Sequence, residues 1–120
     1  MSARPADPRC LFCRIVAKGI PADVVKETED LVAFNDINPQ APRHVLIIPR
    51  AHIASVNDLQ ADEAALVGKM FLLAKEIAED HEFSETGYRL VMNTGKHAGQ
   101  SVFHIHLHML GGRHFSWPPG

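Results

Sequence analysis

From residue 61 to about residue 81, apolar side chains return every three or four positions. Leu66, Val67, Met70, Leu73, Ala74, Ile77 and Ala78 therefore share one face of a long helix. Asp62 and Glu63 stand near its start, where the helix dipole favours negative charge. A shorter stripe of Leu11, Phe12, Ile15 and Val16 predicts a short helix over 10–17, stopped by Gly19 and Pro21. The remaining apolar runs are strand-like. Val24 with Val25, then Leu31, Val32 and Phe34, read as two short strands around a polar turn at 27–30. Segments 44–48, 88–92 and 102–110 give three more, with a buried β-branched run at 44–48 ended by Pro49. Asn, Asp and Pro mark 35–42 as a loop, and glycines mark 93–101 as another. Five strands joined by short loops, with one long and one short helix, predict an α+β fold with a mostly antiparallel sheet. Residues 1–8 are expected to be a flexible lead-in and 9–120 a single domain without internal repeats.

Composition narrows the function classes. With 120 residues, 46% hydrophobic and 22% charged, the chain is an ordinary globular one. A net charge of -2 gives no basic field to attract nucleic acid or an acidic membrane. The N-terminus has no apolar stretch of the signal-peptide kind, and the longest apolar run, 70–74, is far short of the ~20 residues a membrane span needs. A cytoplasmic location is expected. Cys10 and Cys13 form a C-x-x-C pair, which in a reducing compartment reads as a metal half-site or redox pair before a structural disulfide.

The chain holds eight histidines against one Trp and one Tyr. His104, His106 and His108 alternate with Phe103, Ile105, Leu107 and Met109. In a strand this sends the imidazoles to one face, about 7 Å apart, and the apolar side chains to the core face. Three readings follow: a solvated strand face, a shared metal ion, or acid, base and nucleophile chemistry near neutral pH. The loop just before the strand separates them. Gly95, Gly99, Gln100 and Ser101, with Asn93, offer backbone N–H groups and neutral side-chain donors beside the imidazoles. That combination suits a phosphate, and the neighbouring sequence lacks the carboxylates that would hold Mg²⁺.

The run His104-Ile105-His106-Leu107-His108-Met109 resembles the His-φ-His-φ-His signature of the histidine triad (HIT) superfamily. Residues 34–42, His44, 48–53, 99–103 and 117–120 resemble its nucleotide-binding branch, in the right order over roughly 10–120. The resemblance implies a HIT-like fold whose sheet extends across a homodimer, with the Trp117 tail reaching toward the partner's site. It implies hydrolysis of purine nucleoside phosphoramidates or aminoacyl adenylates, with AMP or GMP conjugates as substrates. His106 is then the nucleophile, through a nucleotidyl-histidine intermediate, and no cofactor is required for the chemistry. His108 contacts the phosphate and helps the leaving group, His44 supports the triad, and Ser101 assists. Asn93, Gly99, Gln100 and Ser101 match the phosphate-binding positions. Asp36 matches the carboxylate that accepts from the ribose. Leu11, Phe12, Ile15, Phe34 and Ile37 match the base pocket.

Many superfamily members also carry a Cys₂His₂ zinc site, which here implies Cys10, Cys13, His52 and His104 as ligands of a structural zinc. Other readings remain at several positions. Leu11 and Ile15 suit a core, Asp36 suits a turn, and His44 suits a buried structural histidine. His81, His97 and His114 match no role and are expected at the surface. A dinucleoside polyphosphate hydrolase and a nucleotide-binding regulatory module are the alternative functions. His108 argues against the uridylyltransferase branch, which has glutamine there.

Overall fold

A computed structural model describes residues 4–120. Its sheet has five strands: β1 (Val24–Glu27), β2 (Leu31–Asn35), β3 (Arg43–Pro49), β4 (Tyr88–Val91) and β5 (Leu107–Gly111). Their order is β1-β2-β3-β5-β4, and every neighbouring pair is antiparallel. Two helices join them, α1 (Leu11–Val16) and α2 (Ala64–Asp80). The expected α+β class, with one long and one short helix, is thus present. A 3₁₀ turn at Ala61–Glu63 leads into α2.

Each face of the sheet has its own core. On one face α2 lays Met70, Leu73, Ala74, Ile77 and Ala78 over Ala33, Val45, Ile47, Leu107 and Met109. This is the apolar stripe of the sequence, and it fixes which strand residues face the other way. On that other face Phe12, Cys10 and Cys13 pack against Val32, Phe34, Leu46 and Ile48. With six residues, α1 is too short to hold its helical form alone, so this packing sustains it. Among the residues expected to lead into the domain, 1–3 lie outside the described residues. Arg4 donates to Glu63 at 2.6 and 2.9 Å, and the Asp7 carbonyl accepts from Cys10 N–H at 3.0 Å.

The last strand departs from the expectation of 102–110. It begins at Leu107, and residues 102–106 lie outside the ladder, with bends at 102–104. The pairing of β3 with β5 ends at Ile47–Leu107. Beyond it stands Pro49, which has no N–H to give. Its carbonyl instead accepts from the His104 ring at 2.8 Å, while Ile105 N–H donates to Ile53 at 2.7 Å. Phe103, expected on the core face, is 51% exposed for the same reason. Ile105, Leu107 and Met109 do face the core.

Candidate active site

Although the chain bends at 102–104, the three histidines still line up on one side. The Phe12 ring meets those of His104 and His106 edge-on at 5.9 and 5.1 Å, and the rings of His106 and His108 lie 4.9 Å apart. None of the three is solvated in the manner of a surface strand. His104 and His106 are buried and His108 is half-buried.

Backbone groups determine which ring nitrogen carries each proton. His106 Nδ1 lies 2.8 Å from the His104 carbonyl and must donate to it, which leaves Nε2 with a free lone pair. His44 Nδ1 accepts from Gln40 N–H at 3.0 Å, so its proton sits on Nε2. That Nε2–H points at His108 Nδ1, 3.0 Å away, with Asp36 Oδ2 at 3.4 Å. His108 is thereby held with its proton on Nε2. The result is a lone pair on His106 beside an N–H on His108. Asp36, His44 and His108 offer donor atoms within 4.8 Å of one another, a spacing open to a metal ion. The Gln40 bond argues for the hydrogen-bonded arrangement, because it keeps the proton where a metal would need a lone pair.

The same burial keeps the rings neutral. Desolvation is the main cause at every one of them. It lowers the His106 pKa, against the pull of the His104 carbonyl and Asp36. It takes His108 down to about 4, helped by His106 and His44. His44 is lowered too, with Asp36 opposing.

The glycine loop lies directly before this segment. Gly95 and Gly99 take φ of 85° and 89°, values that side chains rarely tolerate, and they frame a 3₁₀ turn at Lys96–Ala98. Ser101 and Gly99 are exposed and Asn93 is half-buried. Gln100 departs from its expected use as a phosphate donor. It is buried, and its amide donates to the carbonyls of Ala54 at 2.7 Å and Val102 at 3.2 Å while accepting from Gly95 N–H at 2.9 Å. Its own backbone N–H donates to Gly95. Gln100 therefore shapes the loop, and its side chain has no donor left for an anion.

Of the residues matched to a base pocket, Phe12 and Phe34 are buried and touch edge-on at 5.6 Å. Ile15 is half-buried, whereas Leu11 and Ile37 keep 44% and 99% of their surface exposed. Asp36 accepts from Asn38 N–H through Oδ1, a turn bond, and directs Oδ2 toward His44. His81, His97 and His114 are exposed, as expected.

A second cluster adjoins the first. Cys10, Cys13, His52 and His104 bring one ligand atom each within 4.8 Å of the others. His104 Nδ1 lies 3.4 and 3.6 Å from the two sulfurs and 3.3 Å from His52 Nδ1. Cys13 Sγ lies 3.3 Å from His52 Nδ1. A tetrahedral zinc with bonds of about 2.3 Å to sulfur and 2.0–2.1 Å to nitrogen has ligand edges of roughly 3.3–3.8 Å, so the donor set fits. His104 Nε2–H donates to Pro49, which leaves Nδ1 as the ligating atom. N–H groups of Asp7 and Cys13 point at the sulfurs of Cys13 and Cys10 at 3.5 and 3.3 Å. The sequence carried no signal for these backbone partners, nor for the carbonyls of Pro49 and Ala54, since any residue supplies them.

Known proteins resemble this chain in sequence and fold. The HIT domain family matches residues 17–115. The purine nucleoside phosphoramidase of Escherichia coli (strain K12) is 48% identical over 103 residues, covering 86% of this chain and 87% of that protein. The solved HIT family hydrolase from Legionella pneumophila Philadelphia 1 superposes with a TM-score of 0.92 at 52% identity, covering 93% of this chain and all of that one. A histidine triad protein from Clostridium difficile gives a TM-score of 0.89 at 36% identity, covering 92% and 96%. A matched segment this long, over a sheet and histidine run of this form, makes the chain a member of the HIT domain family.

Proposed function

We propose that the protein is a hydrolase that cleaves the P–N or acyl-phosphate bond of purine nucleoside 5'-phosphoramidates and aminoacyl adenylates, releasing the nucleoside monophosphate. The observation that carries this reading is the tautomer set by backbone groups: a neutral His106 with its lone pair on Nε2, beside His108 with its proton on Nε2. The names of the Escherichia coli and Legionella relatives support it.

In the first step His106 Nε2 attacks phosphorus and the bond to the leaving group breaks. A leaving nitrogen takes up a proton as it departs, and His108 Nε2–H is the donor directed at the departing group or a phosphate oxygen. His106 keeps its Nδ1–H, so the nucleotidyl-imidazole is a cation. The His104 carbonyl, already accepting that proton, stabilises the charge. Water then attacks phosphorus and returns a proton to His108 Nε2, the P–N bond to His106 breaks, and its electron pair returns to His106 Nε2.

In this reading Asn93, Gly99 and Ser101 meet the phosphate, Ser101 assists catalysis, and Asp36 accepts from the ribose. Leu11 and Ile37 hold apolar surface that no core residue covers, as base-contacting residues must. Phe12, Ile15 and Phe34 back the base pocket. Cys10, Cys13, His52 and His104 hold a structural zinc that ties α1 to the segment leading into β5. With four protein ligands the set is closed, and the chemistry needs no metal.

The active assembly is a homodimer. In support, β4 is an edge strand able to extend the sheet, and Trp117 is 82% exposed. A cytoplasmic setting agrees with free, buried Cys10 and Cys13. The deciding experiment is a turnover panel of adenosine phosphoramidate, an aminoacyl adenylate and diadenosine polyphosphates on purified protein. Preference for the first two supports the proposal, and preference for the polyphosphates replaces it with the dinucleotide hydrolase. Sedimentation equilibrium at twice the chain mass supports the dimer.

A further inference from the structure

A second polar cluster shares the face of the histidines. Arg89 on β4 pairs with Leu110 on β5, which pairs with His44 on β3. Directly paired residues project to the same side of a sheet. Arg89 therefore stands on the side of His44 and His108, and Tyr88 and Leu90 turn toward α2. Along β4, Arg89 is two residues from Val91, the partner of His108, a step of about 7 Å.

The Arg89 guanidinium lies over the Phe115 ring, 5.1 Å from its centroid, and Arg113 lies over the same ring at 4.2 Å. Two cations thus flank one phenyl group. Backbone carbonyls aim them: Arg89 Nη2 donates to Ser116 at 3.0 Å, and Arg113 donates to Gln40 at 3.1 Å and His114 at 3.0 Å. A guanidinium has five N–H groups, so each retains donors beyond these bonds. Both arginines, with His114 and Phe115, line an open cavity of about 740 Å³, and no carboxylate is among its lining residues. Ring contact alone offsets little of the repulsion between two guanidinium groups held in one wall. A bound anion would offset it and use the remaining N–H groups, which suit the forked geometry of carboxylate or phosphate.

The position of the cluster indicates which part of a substrate it meets. Phe34 lies on β2, followed by Asp36, and Arg89 lies on β4, with β3 and β5 and their histidines between. A nucleoside on the β2 side leaves the β4 side to the group expelled from phosphorus. Arg113 also bonds the carbonyl of Gln40, whose N–H orients His44.

We propose that Arg89, Phe115 and Arg113 form an anion subsite for the leaving group, taking a carboxylate or phosphate that this group carries. The link to turnover rests on the phosphoramidase reading, and the binding of an anion does not. The test compares adenosine 5'-phosphoramidates of aspartate and of alaninamide on the wild type, Arg89→Gln and Arg113→Gln. The wild type should favour the aspartate compound in kcat/KM. Each substitution should lower that value about tenfold, the worth of one hydrogen bond to a charged group, and Arg89→Gln, which bonds none of the groups that orient His44, should leave the alaninamide compound unchanged. Equal losses on both substrates, no loss on either, or a changed oligomeric mass in Arg89→Gln would overturn the proposal.

Calorimetric titration with succinate, a small dianion, judges the site separately. Heat that disappears in the double variant supports it, and absence of binding to the wild type overturns it. If neither phosphoramidate is turned over, the reaction assigned above fails and the succinate result alone decides the subsite.

Discussion

His44 Nε2 lies 3.0 Å from His108 Nδ1, and the N–H of Gln40 holds the other nitrogen of His44 at the same distance. One backbone donor thus sets the proton positions of two rings. Removing the middle of this relay should disturb chemistry more than binding. His44→Ala is expected to lower kcat about 10–100-fold, with KM moving less than about threefold. His44→Gln, whose amide can still donate to His108, should recover part of the loss. Steady-state kinetics on adenosine phosphoramidate provide the check. Equal falls in kcat for both variants, or a loss carried by KM, would show that His44 serves packing alone.

The proposed nucleophile gives a sharper expectation. His106→Ala should reduce turnover at least a thousandfold, because it removes the Nε2 lone pair that the proposed mechanism directs at phosphorus. AMP should still bind, since the glycine loop is shaped by the Gln100 amide and not by His106. Isothermal titration with AMP and turnover on the same preparation separate the two. Near-normal turnover in the variant would remove His106 from the mechanism.

Metal content is directly measurable. Protein purified under metal-replete conditions should carry about one zinc per chain. Cys10→Ser with Cys13→Ser should abolish it and lower Tm by roughly 5 °C or more, because a four-ligand site contributes folding energy. The loss should also reach the active site. His104 is a member of the metal cluster, and its carbonyl orients His106. A stable, fully active double serine variant without metal would leave the cluster as packed thiols and imidazoles.

The cysteine pair and the histidine run are legible in the sequence because each has a spacing, C-x-x-C and three histidines at period two, whereas His52 joins the cysteines only through the family resemblance. Strand termination is not legible. Residues 102–106 have the composition and alternation of a strand, but the ladder stops where Pro49 lacks an N–H, and His104 and Ile105 find partners at Pro49 and Ile53. Periodicity reports alternating side chains and neither the bend at 102–104 nor the neighbouring strand. Gln100 misleads for a related reason. Beside glycines it looks like an anion donor, and only its contact with Ala54, 46 residues away, shows a loop tether. The Arg89–Phe115–Arg113 stack has no local signature, since its members meet through β4–β5 pairing.

Acid should weaken the fold through His108. Its pKa is held at about 4 in the native state, mainly by burial, against about 6.5 for an ordinary histidine. Between those values the unfolded chain binds more protons than the folded one, so stability rises with pH across that window. The contribution is complete above about pH 6.5 and is lost as pH falls toward 4. Thermal unfolding of the wild type should therefore drop more steeply between pH 6.5 and 4.5 than that of His108→Asn. Parallel slopes in the two proteins would show that His108 does not stay neutral in the fold.

Two glycines should answer alanine with opposite signs. A Cβ on Gly111 would lie 2.8 and 2.9 Å from atoms of the Phe83 ring. Gly111 is pinned on both sides, by Arg43 of β3 and Tyr88 of β4, and Phe83 is itself buried and edge-on to Tyr88 at 5.9 Å. Neither neighbour yields without disturbing the other, so Gly111→Ala should cost about 1–3 kcal/mol. Gly68 sits within α2, exposed, and a Cβ there meets nothing within 4 Å. Gly68→Ala should gain about 0.5–1 kcal/mol from helix propensity. Urea unfolding of both variants tests the pair: a neutral Gly111→Ala would mean that Phe83 repacks freely, and a destabilising Gly68→Ala would mean that this stretch of α2 is covered in solution, as a subunit contact would do.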